Sequence, residues 1–277
     1  MPGTRPDDAP AADEPRTAVV TGAASGLGRA LADALVSQGW HVAALDLPDA
    51  IDRWTAAVPT APARLVRLEM DVRDAAAWRG LHDRLRGTWR SLDLLVNAAG
   101  VGATGEVGML DAAQWRRVID TNLVGTAIGC EAFVPWLRTN RRPSHLVNVA
   151  SIAAILAPPS MAAYSASKAG VVALSEAIAA ECPPRRPGVT VVCPGFFRSG
   201  LLDSWHFTGA VEKREAERRM AATWWTSERV ARRVLRAVRL NRRYVVVGLQ
   251  ARWLWRLKRL APRATTALVR LVYRRLK

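Results

Sequence analysis

Short apolar runs alternate with longer stretches of helical periodicity along this chain of 277 residues. The first run, Thr17 to Gly22, ends in a glycine. Further glycines stand at 26 and 28, and Ala30, Leu31, Ala34 and Leu35 then recur at helical spacing until Gly39. That order predicts strand, glycine-rich turn and helix, stopped by the last glycine. His41 to Leu45 predicts a second strand closed by Asp46, and Arg64 to Met70 a third that runs into Asp71 and Val72. Ala75 to Leu85 predicts a helix with Trp78, Leu81 and Leu85 inward, and Leu92 to Val96 a fourth strand leading into Asn97-Ala98-Ala99-Gly100. Asp111 to Leu137 predicts one long helix that carries Asn122 and is interrupted by Pro135. His145 to Ala150 predicts a fifth strand feeding Ser151, and the helix through Tyr164 runs to about Cys182, where Pro183-Pro184 end it. Val189 to Val192, Glu228 to Leu240 and Tyr244 to Gly248 predict strand, helix and a seventh strand. Strands that alternate with helices imply an α/β fold with a parallel, doubly wound sheet.

Composition changes this picture in three places. No apolar run reaches the ~18 residues of a membrane span. Residues 1–14 are rich in Pro, Ala and acids and have no apolar segment of the signal-peptide kind, which predicts a disordered leader on a cytoplasmic protein. The cysteines, Cys130, Cys182 and Cys193, lack metal-ligand spacing and are expected as buried hydrophobes in a reducing compartment, with no metal. Charge is informative once located. Glu212 to Lys277 holds 20 Lys/Arg against Glu212, Glu215, Glu217 and Glu228, so that segment carries the whole net charge of +16.

Two constellations carry candidate chemistry. The strand–glycine turn–helix–strand unit, with Asp46 standing 18 residues after Gly28, is a dinucleotide fingerprint. Its glycines let backbone approach a pyrophosphate, the helix N-terminus favours that charge, and the carboxylate takes ribose hydroxyls. The second is Ser151, Tyr164 and Lys168. The last two are at i and i+4 on one helix, so they project from the same face with Cβ atoms roughly 6 Å apart. Small residues around them, from Ala162 to Gly170, allow close packing on a neighbour or a flat ligand.

Thr21-Gly-Ala-Ala-Ser-Gly-Leu-Gly28, Asn97-Ala-Ala-Gly100, Asn122, Ser151, Tyr164-Ser-Ala-Ser-Lys168 and Pro194-Gly195 together resemble the short-chain dehydrogenase/reductase family over residues 15–248. The resemblance implies a Rossmann-like seven-stranded sheet, a nicotinamide cofactor and a Ser151–Tyr164–Lys168–Asn122 catalytic group. It also implies cofactor contacts from Gly22, Ser25, Gly26, Leu27, Gly28, Asp46, Asp71, Val72, Asn97, Ala98, Gly100, Tyr164, Lys168, Pro194, Gly195, Phe197 and Ser199. Ala98 stands where a second Asn is usual, and Ser199 where a Thr often follows the Pro-Gly pair. In such a group Tyr164 removes the hydroxyl proton, Lys168⁺ and the nicotinamide charge favour its phenolate, and Ser151 holds the substrate oxygen. Asn122 is implied to position a water behind Lys168. Asp46, with Leu47 after it and no basic residue at Ser25, favours NAD over NADP, although Arg29 adjoins the turn.

Ile155, Leu156, Met161, Phe196, Phe197, Leu201, Leu202, Trp205 and Phe207 fall in the segments expected to line the substrate pocket. They point to a hydrophobic alcohol or ketone, or else only close a lid over the cofactor. Residues 249–277 predict a basic amphipathic helical extension. Trp253, Leu254, Leu257 and Leu260 share one face, and Leu268, Leu271, Val272 and Leu276 repeat the pattern after Pro262. Three occupants suit it: an anionic membrane surface, another subunit of a homodimer or homotetramer, or the protein's own apolar surface. Specific nucleic-acid binding is not expected, because no reading motif accompanies the charge. The alternative to an enzyme is a catalytically silent nucleotide sensor or scaffold acting through this tail.

Overall fold

The computed structural model describes residues 14–60, 62–183 and 186–276; the expected leader, up to residue 13, and the helix-stopping Pro184 lie outside them. Seven parallel strands form the central sheet in the order β3-β2-β1-β4-β6-β7-β9. They are β1 (Thr17–Thr21), β2 (His41–Asp46), β3 (Leu65–Glu69), β4 (Leu94–Asn97), β6 (His145–Val149), β7 (Gly188–Pro194) and β9 (Tyr244–Val247). The expected α/β doubly wound, Rossmann-like sheet is therefore what the chain forms. Side chains of β1, β2 and β4 alternate between two separate cores. Ala18, Val20, Val42, Ala44, Leu94 and Val96 face one side. Val19, Ala43, Leu45 and Leu95 face the other. A strand covered on both faces has no polar side, which is why these runs are continuously apolar.

On the first face α1 (Gly26–Ser37) packs against α9 (Ser227–Arg239). On the second, α3 (Ala75–Thr88) packs against α5 (Gly125–Thr139), with Trp78 edge-on to Phe133 at 5.7 Å. Trp78 is wholly buried, and its indole nitrogen donates to the Val72 carbonyl at 2.9 Å. At the N-terminal edge of the sheet, buried Asp93 accepts hydrogen bonds from the Thr17 amide and from the Asn140 and Arg142 side chains. This network leaves the C-terminal edge, where β1, β2, β4, β6 and β7 end, for function.

Several elements depart from the sequence expectation. α2 (Pro48–Ala57) buries only Ile51 and Trp54, too few apolar positions to show a period. The predicted helix from Asp111 to Leu137 is three pieces: α4 (Ala112–Ile119), a π-helical turn over Asp120–Val124, and α5. Pro135 lies inside α5 without ending it. β5 (Gly102–Thr104) and β8 (Trp205–Phe207) form a second, two-stranded sheet. α6 (Ala153–Leu156) and α7 (Ala162–Glu181) follow β6, and α8 (Ala210–Ala222), which buries nothing completely, precedes α9. The chain ends in α10 (Leu249–Leu260) and α11 (Pro262–Leu276).

His145, at the start of β6, is 6% exposed and faces Thr190 at 2.8 Å. Burial pushes its pKa down from 6.5 to about 4. Between those values the unfolded chain holds the extra proton, so folding stability falls as the pH falls through that window. The loss is expected to be on the order of 3 kcal/mol from about pH 7 to about pH 4. Urea unfolding across that range should show it, and His145→Gln should flatten the curve. An unchanged slope in the variant would assign the acid sensitivity to other groups.

Candidate active site

α1 begins at the end of β1 through a turn that only particular backbone geometry allows. Gly26 has φ +56°, left-handed backbone that favours glycine, and a Cβ there would touch Ser199 Cβ at 3.4 Å, so the chain at Ser199 lies against the turn. Gly28 is required for a different reason: a Cβ would stand 2.1 Å from the Gly22 carbonyl oxygen. No side chain caps α1, since Ser25 makes no cap hydrogen bond. The first turn of the helix thus keeps backbone N–H groups that no Ser25 cap satisfies. Leu27 is buried in the core beneath it. Asp46, at the end of β2, accepts hydrogen bonds from the Ala24 and Leu47 amides, both at 2.9 Å, which fixes its carboxylate beside the turn.

The neighbouring strand ends complete one edge. Thr21 Oγ1 accepts from the Ala98 and Ala99 amides at 3.0 and 3.1 Å and so ties the end of β1 to the end of β4. Thr21 was not among the expected site residues. Asn97 turns its side chain into the core, where it donates to Asn148 Oδ1 at 2.9 Å, so it offers a ligand main chain only. Val72 is buried against Gly125, while Asp71 is gripped by Arg73 at 2.6 Å, which holds its carboxyl below the usual range. Asp71, Arg73, Asp74, Asp120 and Val124 line an open hollow of about 400 Å³.

The structure brings Ser151, Tyr164 and Lys168 together in one buried group, with exposures of 8%, 6% and 4%. Ser151 follows β6, and its Oγ accepts from the Ala153 amide at 3.1 Å at the start of α6. Tyr164 and Lys168 lie on α7, with Lys168 Nζ 6.0 Å from the Tyr164 ring centre. Lys168 Nζ donates to the Val149 carbonyl at 2.8 Å, and a Cβ on Gly100 would stand 3.3 Å from it. Asn122, in the π turn, is fully buried. Its side chain both accepts from and donates to the Val101 main chain at 2.9 Å, and it donates to Ser167 at 3.0 Å. These bonds pin the π turn beside Lys168; a single extra backbone residue in a helix commonly marks such a site.

The protein's own groups set the starting point on which Lys168⁺ and a nicotinamide charge would together act. Burial pushes Tyr164 up to about 12, against a smaller opposing pull from its hydrogen bond to Ser151. Burial likewise pushes Lys168 down to about 8. Trp205 lies over Tyr164 as a lid: its ring stands 4.8 Å from the Tyr164 ring, and its indole nitrogen donates to Thr104 Oγ1 at 2.8 Å. Gly102 makes room for it, since a Cβ there would be 2.2 Å from the indole. Burial disfavours the charged form of each group, which raises the tyrosine and lowers the lysine while leaving both protonated at neutral pH.

Ser199 Oγ is buried without a hydrogen-bond partner, at the turn where it faces Gly26. Pro194 and Gly195 hold the adjoining chain, with the Pro194 carbonyl accepting from the Ile152 amide at 3.0 Å. Phe197 packs into the core. Among the described residues no group of His, Cys, Asp and Glu could hold a metal ion.

A family model described as short chain dehydrogenase matches residues 16–207. The probable oxidoreductase EphD of Mycobacterium tuberculosis is 30% identical over 261 residues, which is 91% of this chain and 44% of that protein. The chain therefore spans less than half the length of that relative. The 2-(S)-hydroxypropyl-CoM dehydrogenase 3 of Xanthobacter autotrophicus is 34% identical over 177 residues, covering 64% of this chain and 69% of that one. A short chain dehydrogenase/reductase from Burkholderia phymatum, crystallised in complex with NAD, superposes with a TM-score of 0.82 at 29% identity, over 89% of this chain and 93% of that one.

Proposed function

Because the chain belongs to the short-chain dehydrogenase/reductase family, we propose that it is an NAD-dependent oxidoreductase that interconverts a secondary alcohol and a ketone. The observation that carries this is the buried convergence of Ser151, Tyr164 and Lys168 beside Gly100 and the Asn122 turn. The residues present fit a nicotinamide dinucleotide. The glycine turn, the uncapped N–H groups of α1 and the unpartnered Ser199 hydroxyl suit its phosphates and amide, and Asp46 suits a ribose. Gly22, Ser25, Ala98, Gly100 and Lys168 would complete its bed.

When bound, NAD supplies the hydride acceptor and a positive charge. The chain's own groups do the rest. Ser151 holds the substrate oxygen by a hydrogen bond, and the Tyr164 oxygen takes the proton from the alcohol hydroxyl. A Tyr164 held near 12 is a poor base at neutral pH, so the protonated Lys168 ammonium and the cofactor's charge are needed to favour its phenolate. Lys168, held near 8, stays mostly charged at neutral pH. Asn122 acts as a positioning residue that keeps the π turn and Val101 in place around Lys168.

A hydrophobic substrate suits the walls. Trp205, Phe207, Met161, Leu201 and Leu202 are half-buried around the lid, and Tyr164 sits in an apolar cluster with Ala103, Val118, Ala153 and Ala163. The same reading makes the enzyme cytoplasmic and a homodimer or homotetramer; among the described residues no helix is long and apolar enough to cross a membrane. NADH formation from a panel of aliphatic, aromatic and sterol-like secondary alcohols tests the assignment. Absence of turnover across that panel, in either direction, with NAD and with NADP, would overturn it.

Cofactor choice rests on Asp46. Arg29, the nearby candidate for a 2′-phosphate, is committed elsewhere: it pairs with Asp33 at 2.8 Å and lies over the Trp54 ring at 4.1 Å. Asp46→Ser removes a ribose acceptor and a repelling charge, so NAD affinity should fall by about tenfold or more while NADP affinity rises. A wild-type preference for NADP at equal concentrations would sink this part of the reading.

A further inference from the structure

The last two helices leave a surface that the catalytic reading does not use. α10 turns Ala251 and Trp255 towards the body, where Trp255 lies 5.8 Å from the Tyr244 ring. Its outer face carries Leu249, Trp253, Leu257 and Leu260, exposed by 75%, 68%, 38% and 85%. Leu268, Leu271 and Val272 continue an exposed apolar row on α11. The exposed side chains of Arg252, Arg256, Arg259, Arg263, Arg270 and Arg274 flank these rows. No acid follows Glu228 in the sequence, and among the described residues no ion pair neutralises the basic side chains of residues 249–274.

The inner sides of the same two helices adjoin the active site. α10 and α11 both pack on α6, the short helix that starts two residues after Ser151. Tyr273 on α11 hydrogen-bonds Ser160 at 2.9 Å and also bonds Glu106. Ser160 is held in left-handed backbone at φ +61°, a rare conformation for a side chain other than glycine. It precedes Met161, which packs on the Tyr164 cluster. The tail therefore forms one wall beside the substrate lid.

We propose that the outer face of α10 and α11 seats the enzyme on an anionic phospholipid bilayer, at the rim of its own catalytic pocket. Exposed Trp and Leu enter the headgroup boundary while arginines meet the lipid phosphates, the arrangement of an interfacial helix. Charge selects the bilayer over a second copy of the chain: a two-fold contact through this face would set one acid-free basic surface against another. Each Lys or Arg in the surface field strengthens partitioning about fivefold. Delivery of a lipid-dissolved alcohol or ketone to the pocket rests on the proposed activity; the seating itself does not.

Sedimentation of the full chain with vesicles of mixed phosphatidylglycerol and phosphatidylcholine, and with phosphatidylcholine alone, tests the seating. The wild-type chain is expected to pellet with the anionic vesicles at low salt, and less at high salt. A full-chain W253A/L257A/L260A variant, altered only at exposed positions, should keep its melting temperature and its mass by light scattering while losing at least tenfold in partitioning. A companion R256E/R263E/R270E variant should lose as much. A wild-type chain that stays in the supernatant overturns the proposal, as does a variant that pellets like wild type. A triple variant that changes oligomeric mass would assign the face to a second subunit instead. Pelleting needs no turnover, so failure of the proposed activity and failure of the seating are read separately.

Discussion

Tyr164→Phe is expected to cut turnover by on the order of 10²–10⁴ while leaving NADH affinity nearly intact. The substitution removes one oxygen from a buried group and keeps the ring that packs 4.8 Å from Trp205. The lid and the helix that carries Lys168 therefore stay in place, and the loss falls on proton transfer. Fluorescence titration with NADH and steady-state kinetics separate the two effects. A variant that kept more than half of the wild-type turnover would remove Tyr164 from the acid/base role.

Gly28→Ala should be the most damaging single methyl group in the nucleotide half. Its Cβ would stand 2.1 Å from the Gly22 oxygen and 2.6 Å from the Gly22 carbonyl carbon, and neither is the flexible end of a side chain. α1 must retreat from β1, which costs about 1–3 kcal/mol as overpacking and disturbs the glycine turn. Nucleotide affinity should fall with the melting temperature. Gly80→Ala is the control: it lies inside α3 with nothing within 4 Å of the added methyl, so it should gain about 0.5–1 kcal/mol. Calorimetry and NADH titration of both variants decide the matter, and equal behaviour of Gly28→Ala and wild type would show that the turn has slack.

The sheet was legible because β1, β2 and β4 are apolar on both faces, and Gly22, Asp46 and Gly100 mark where they end. The pairing of Tyr164 with Lys168 was legible for a similarly local reason, the geometry of one helical turn. Non-local features were not. β5 and β8 have three residues each and find one another through the Gly102–Trp205 register, a partnership with no local signature. The π turn over Asp120–Val124 shifts the helical phase by a residue, which apolar spacing does not resolve. Nor does spacing reveal which way a helix rolls when it docks. Leu254, expected on one face with Trp253, Leu257 and Leu260, is half-buried, while Leu249 joins the exposed row. The raised Tyr164 pKa escaped for the same reason, because burial depends on elements remote in sequence, the Trp205 indole of β8 among them.

The strand order bears on how the chain is made. β2 pairs with β1, β3 with β2, and β4 with the remaining side of β1, so the four strands that carry the glycine turn and Asp46 are adjacent and complete by Asn97. β6 then joins β4, β7 joins β6, and β9 joins β7. A nascent chain leaving the ribosome N-terminus first always has a free edge waiting for the next strand. No strand has to be threaded between two that are already paired. The nucleotide half is thus a template on which the half bearing Ser151, Tyr164 and Lys168 is later laid down, one edge at a time.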